Sequence, residues 1–244
     1  MPTYTIFAGV NGCGKTSIYK STYYEQNKDE KRINTDEMVA RIGSWKDSNL
    51  QMKCAREAVK LIKLYISEKI SFNQETTLSG KSIISNIKKA KEKGFLVTMN
   101  YIGLESAEIA KERVKLRVSR GGHGIPDKDI ERRYSESLNN LLNVNELCDE
   151  INIYDNTDIF KLVISIRNGK MIWYDKNLPK WTKTIMNSEV WKVLNVPPHD
   201  ACWEYSQAAK ETHVKRWKYR LYREVKIQYV SFKAHSLSSC TLSA

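Results

Sequence analysis

The sequence predicts an α/β fold in which a mainly parallel sheet carries helices on both faces. Three observations lead to it. Short apolar runs alternate with helical patterns from Thr3 to about Tyr174, which is how successive βα units are written. The first run, TYTIFAG, passes into GVNGCGKT at residues 9–16. This G-x-x-x-x-G-K-[ST] pattern lies where a phosphate-binding loop must lie, between a strand and the helix it opens. A later run, FLVTMNYIG, has the composition of an inner strand and is followed by a basic helix and a glycine-rich joint. These features specify a P-loop NTPase-type three-layer sandwich with a helical lid.

In chain order, TYTIFAG is the first strand, Lys15 to Tyr24 the helix after it, and KRIN a second short strand, with Asp36 opening the next helix. Met52, Ala55, Val59, Ile62 and Ile66 recur at three- and four-residue steps and predict one buried stripe of a long helix. SFNQE is a strand, and Lys81 to Lys93 a helix closed by Gly94. The basic helix, about Ser106 to Ser119, runs into a flexible joint at Gly121, Gly122, His123 and Gly124, and another helix begins after Asp127. EINIYD is a strand, and FKLVISIRNGKMIWYD a hairpin whose Asn168-Gly169 favours a tight two-residue turn.

This pattern runs out near Leu178 and Pro179, and the main domain is placed at 1–187. Residues 188–244 form a basic, aromatic-rich extension in which Val214, Trp217, Leu221 and Val225 line one face of a helix. It either packs on or frays from the main domain, or contacts nucleic acid or a membrane surface.

Apolar residues make up 41% and charged residues 28% of the 244, a balance that supports a packed core and excludes a disordered chain. The net charge of +12 implies attraction to polyanions without choosing among them. Five cysteines, Cys13, Cys54, Cys148, Cys202 and Cys240, are odd in number and widely spaced. They read as reduced thiols rather than as a disulfide framework or a metal site. No apolar run approaches the roughly 18 residues of a membrane span, and the N-terminus lacks a secretory pattern, so a cytoplasmic location and no membrane partner are expected.

The phosphate loop, a Walker A pattern, assigns nucleotide contacts to Gly9, Val10, Asn11, Gly12, Cys13, Gly14, Lys15, Thr16 and Ser17. Its glycines let successive N–H groups turn inward and the helix N-terminus adds its positive end. Lys15 reaches the β- and γ-phosphates and the Thr16 hydroxyl serves Mg²⁺. Cys13 reads as a small loop residue rather than a redox centre. Asp36, at the strand-to-helix corner INTDE, is either the base that accepts a hydroxyl proton or a helix cap or first-turn stabiliser. Glu75, Thr76 and Thr77 in FNQETTLSGKS bind substrate or cap the following helix, and Glu75 alternatively holds magnesium through water. Arg113, Arg117 and Arg120, four and three apart, form a phosphate clamp or a solvated basic face. His123 is a lid-tip substrate contact or a plain loop residue.

The ordered set TIFAGVNGCGKT, INTDE, FNQETTLSGKS, YIGLESAEIAKERVKLRVSRGGHGIPDKDIERRY and IYDN resembles the zeta toxin family of P-loop kinases over about residues 1–180. The resemblance implies the fold of small nucleotide and shikimate-type kinases. It also implies ATP- or GTP-dependent phosphorylation of the 3'-hydroxyl of UDP-N-acetylglucosamine, and a small helical antitoxin as partner. By position, Lys15 and Thr16 match the phosphate-loop pair, Asp36 the activating carboxylate, Glu75 the substrate-side glutamate, Arg113 the first lid arginine and Asn156 a segment near the adenine. Two departures stand out: His123 where better-studied members carry the second lid arginine, with Arg117 or Arg120 as substitutes, and the polar FNQE before the acidic residue. The expected function is therefore a sugar-nucleotide kinase. The alternatives are a P-loop kinase with another metabolite acceptor and a nucleotide-dependent, nucleic-acid-binding ATPase.

Overall fold

The computed structural model describes residues 1–27 and 30–186. The strands are β1 (Thr3–Ala8), β2 (Lys31–Ile33), β3 (Phe72–Thr76), β4 (Leu96–Gly103), β5 (Glu150–Asp155), β6 (Lys161–Arg167) and β7 (Lys170–Tyr174). They form one sheet in the order β2-β3-β1-β4-β5-β6-β7. The first five run parallel, and β6 pairs antiparallel with both β5 and β7. The chain leaves β1 towards β2 and β3 on one side and then crosses to β4 on the other. The crevice at the carboxyl end of β1 is thus a switch point, where open α/β sheets take ligands.

The helices are α1 (Lys15–Ile18), α2 (Thr35–Ile42), α3 (Ser48–Ser67), α4 (Ser82–Glu92), α5 (Ala107–Ser119), α6 (Asp127–Asn143) and α7 (Lys180–Met186). Side chains of β1 alternate between two cores: Tyr4, Ile6 and Ala8 join α3, α4 and α7, whereas Phe7 joins α1, α5 and the start of α6. Two apolar layers sandwich the sheet, as the sequence predicts.

Two local expectations are corrected. The buried stripe of α3 is Cys54, Ala58, Ile62 and Ile66, while Met52 and Val59 are 52% and 47% exposed. An uninterrupted four-residue step, with small Cys54 and Ala58 at its start, faces the core in place of the bulkier flank. The segment Lys15 to Tyr24 is α-helical only to Ile18, then widens into a π-turn over Tyr19–Tyr23 and tightens to 3₁₀ at Tyr24–Gln26. In the widened turn Tyr19 and Tyr23 both meet the Phe7 ring edge-on, at 5.6 and 5.2 Å. The hairpin turn forms at Asn168 and Gly169, both with positive φ.

Past the hairpin, α7 returns Trp181 to the core. Its Nε1 donates to the buried Asp155 Oδ1 at 2.9 Å, and its ring fills the space beside Gly103, where an added Cβ would lie 2.2 Å from it. The helix face read at Val214, Trp217, Leu221 and Val225, and the whole extension 188–244, lie outside the described residues. Among the described residues no helix is long and apolar enough to cross a membrane, and Cys13, Cys54 and Cys148 are buried and free. Gly103→Ala should destabilise the fold by about 1–3 kcal/mol through overpacking against the indole, read as a lower urea midpoint with an unchanged m-value.

Candidate active site

From Ala8 the chain turns through the glycine loop into α1. Gly14 precedes the helix at φ +99°, and a Cβ there would lie 2.6 Å from Asn156 Nδ2, so the position needs both the left-handed conformation and the missing side chain. Asn156 Nδ2 donates to the Cys13 carbonyl at 2.8 Å. This residue, expected near the adenine, thus buttresses the loop from the end of β5. Lys15 is buried, and its Nζ donates to the carbonyls of Gly9 (2.8 Å) and Val10 (3.1 Å). Its charge rests on the loop it serves, on weak neutral acceptors that phosphate oxygens can outcompete. Cys13 Sγ lies 3.9 Å from Lys15 Nζ, and burial raises the thiol's pKa against the pull of that charge, which keeps it a protonated packing residue.

Beside the loop, Thr16 Oγ1 donates to both oxygens of Glu75, at 2.8 and 3.0 Å. Glu75 lies opposite Phe7 in the β1–β3 register, one residue before the end of its strand. It also accepts from Arg32 Nη2 and Asn34 Nδ2, each at 2.8 Å. It caps nothing: Lys81 stands at the N-cap of α4, without a side-chain bond. Thr76 Oγ1 accepts from Leu78 N in the turn that follows, and the Thr77 hydroxyl pairs with Ser79 at 2.7 Å. Asn34 Oδ1 caps α2, accepting from the N–H groups of Asp36 and Glu37. The Asp36 carboxylate is therefore not needed as the cap. It is exposed, lines the cleft, and has no hydrogen-bond partner among the described residues.

The opposite wall comes from α5 and α6. Arg113 and Arg117 project from α5 into the cleft. Arg113 Nη2 donates to Thr157 O at 2.8 Å, while Arg117 Nε and Nη2 are buried without a partner among the described residues. Buried guanidinium donors left unpaired are costly, and an anion entering the cleft would satisfy them. Arg120 is corrected: it is exposed at the C-cap and does not line the cleft. The helix stops at Ser119, and Gly122 N bonds back to Arg117 O, so the 113–117–120 face is broken before its last member. His123 is likewise not among the cleft-lining residues; its ring packs on Trp45 with centroids 5.3 Å apart, tying the glycine joint to the α2–α3 connection.

Arg132 and Arg133 of α6 also line the cleft, and Arg133 Nη1 donates to Asn11 Oδ1 of the phosphate loop at 3.0 Å. The sequence reading missed both. The available signal was Ile130, the buried residue three before Arg133, which puts Arg133 at the inward edge of its helix. The assembled cleft, about 550 Å³, is lined by the phosphate loop from Asn11 to Ser17, with Cys13 left behind it in the core, and by Asn34, Asp36, Glu75, Thr76, Thr77 and these arginines. No group of three His, Cys, Asp or Glu side chains suited to a metal occurs among the described residues. The donors open to a hard cation here are the Thr16 hydroxyl, Glu75 and the oxygens of a bound phosphate and water.

Burial lowers the pKa of His123; the nearby Asp36 charge opposes this, and Arg117 and Arg133 reinforce it. An NMR titration should place its midpoint below the ordinary 6.5. The unfolded chain then holds this proton more tightly than the fold does. The His123 contribution to stability should be present above that value and be lost as pH falls through the folded midpoint.

The sequence profile of the zeta toxin family matches residues 1–177. An uncharacterized protein of Haemophilus influenzae is 36% identical over 128 residues, covering 52% of this chain and 89% of that protein. Among solved structures, a chain of the AvrRxo1-ORF1:-ORF2 complex matches with a TM-score of 0.58 at 16% identity, over 81% of this chain and 65% of its own length. The same protein solved with ATP gives 0.56 at 16% identity, over 82% and 65%. A chain from the PezAT chromosomal toxin-antitoxin system of Streptococcus pneumoniae gives 0.51 at 13%, over 86% of this chain and 85% of that one. At these identities the structures share a fold with this chain, which spans about two thirds of the AvrRxo1 chain's length.

Proposed function

The chain belongs to the zeta toxin family, and from that premise we propose that it is an ATP- or GTP-dependent kinase of the 3'-hydroxyl of UDP-N-acetylglucosamine or a related sugar nucleotide. One observation carries the reading. A single cleft holds a phosphate loop, a carboxylate at Asp36 without hydrogen bonds among the described residues, and the arginines 113, 117 and 133. A loop that only bound a nucleotide would need neither the free carboxylate nor the unpaired guanidinium.

In this proposal Lys15 exchanges the Gly9 and Val10 carbonyls for β- and γ-phosphate oxygens. Arg117 offers its unpartnered Nε–H and Nη2–H to the transferring phosphoryl group, and Arg113 and Arg133 flank it from the two lid helices. Asp36 accepts the proton of the acceptor hydroxyl as that oxygen attacks the γ-phosphorus and the bond to the β-bridging oxygen breaks. Mg²⁺, held by Thr16 and by Glu75 directly or through water, would offset charge on the phosphates. Thr76 and Thr77 lie on the acceptor side, and His123 with Trp45 closes the tip of the lid over it. The main domain is assigned to 1–187.

AvrRxo1-ORF1 is solved in complex with ORF2, and PezAT is a toxin-antitoxin system, which supports a protein antitoxin as this chain's partner. The three free, buried thiols are in keeping with a cytoplasmic location.

Incubating the full chain with ATP, Mg²⁺ and UDP-N-acetylglucosamine should yield a 3'-phosphorylated product, identified by mass and phosphorus NMR. Asp36→Asn should lower kcat by about 10²–10⁴ while nucleotide binding persists, and Lys15→Ala should abolish transfer. Full transfer by Asp36→Asn would remove the base assignment. Nucleotide binding with no sugar-nucleotide product, but with turnover of another metabolite, would replace the acceptor.

A further inference from the structure

Arg32 belongs to neither the phosphate loop nor the lid, yet its guanidinium is engaged on every side. Nε donates to Glu37 Oε2 at 2.9 Å and Nη2 to Glu37 Oε1 at 3.1 Å, a two-pronged grip on one carboxylate. Nη2 also donates to Glu75 Oε2 at 2.8 Å and Nη1 to Asn73 Oδ1 at 3.1 Å. Its Cζ lies 3.4 Å from the centre of the Tyr19 ring, in cation–π contact. The side chains of Arg32 and Glu75 are each 12% exposed, so the pair is shielded from water and its geometry matters more than that of a surface ion pair.

Four elements meet at this group: the π-turn after α1 through Tyr19, β2 through Arg32 itself, the first turn of α2 through Glu37, and β3 through Asn73 and Glu75. Glu75 holds the Thr16 hydroxyl, and Glu37 directly follows Asp36. We propose that Arg32 is a positioning residue: it fixes the Glu75 carboxylate on Thr16 and ties it to the helix turn that carries Asp36, so one guanidinium sets both acidic sides of the cleft. The proposal rests on the phosphotransfer reading, which supplies the cation that Glu75 would serve. Without Arg32, two neighbouring carboxylates lose their shared counter-charge and Glu75 can turn away from Thr16. A lysine keeps the charge but cannot reproduce the fork that reaches Glu37, Glu75 and Asn73 together.

The test is calorimetric titration of the full chain with ATP, once in Mg²⁺ and once in EDTA. It compares wild type, Arg32→Met, Arg32→Lys, Glu75→Gln and the Arg32→Met/Glu75→Gln double variant, with melting temperature recorded for each. The quantity read is the gain in ATP affinity that Mg²⁺ confers. Arg32→Met should reduce that gain by about tenfold, the scale of losing a group that orients a metal ligand, with metal-free ATP affinity held within about twofold. Arg32→Lys should restore only part of it. In the Glu75→Gln background, Arg32→Met should cause no further loss, because its effect passes through Glu75.

An unchanged Mg²⁺ gain in folded Arg32→Met or Arg32→Lys overturns the proposal, as do additive losses in the double variant. So does an equal fall of both affinities with a lowered melting temperature, which marks a purely structural role. If Arg32→Met does not fold, Arg32→Lys carries the same comparison. Wild-type protein that binds no ATP in either condition would instead refute the phosphotransfer reading itself, and this proposal with it.

Discussion

Hydrogen bonding of β1 to parallel neighbours on both flanks places Ala8 opposite Thr76 of β3 and Tyr101 of β4. Parallel pairing brings the carboxyl ends of these strands to one edge, and each end delivers a different part of the cleft. The phosphate loop follows β1, Glu75 comes from β3, and Asn156 follows β5, whose Asp155 is paired with Gly103. The bond between Thr16 and Glu75 spans 59 residues of sequence yet needs only that β1 and β3 be adjacent. A sheet with the same strands in another order would keep every motif and have no site.

The charges around this edge are sorted more sharply than the overall balance of +12 suggests. One wall carries the carboxylates, with Glu75 hydrogen-bonded to Thr16, Arg32 and Asn34 and Asp36 without a hydrogen bond among the described residues; the lid carries the guanidinium groups. Lys15 and Arg133 spend their donors on loop carbonyls and on the Asn11 side chain, and Arg117 has two buried donors without a partner among the described residues. An anion bound in the cleft would meet donors already directed at it by the lid helices.

Much of this was legible in the sequence because it is local. The loop pattern, its flanking strand and the hairpin turn depend on residues within a few positions of each other, as does the polar corner that presents Asp36. What was not legible depends on contacts between distant elements. Arg133 reaches Asn11 across 122 positions, and Arg32 is an unremarkable basic residue on a three-residue strand until β3 lies beside it. Arg120 was misplaced because helical spacing extrapolates a face without knowing where the helix stops, and Gly121 and Gly122 stop it early. The stripe of α3 was misjudged because three- and four-residue steps fit more than one face, and the row through Met52, Ala55 and Val59 lies beside the buried one, which steps by four from Cys54 and Ala58.

The indole of Trp181 occupies the space left free by Gly103 and donates to Asp155, yet it lies beyond residue 177, where the family match ends. The packing of the described fold thus reaches past the matched segment. Positions 103 and 181 form a lock and key: a side chain at 103 leaves no room for the indole, and removing the indole opens a gap beside the strand. Seen this way, the last described helix is a keystone of the fold, seated at a single glycine.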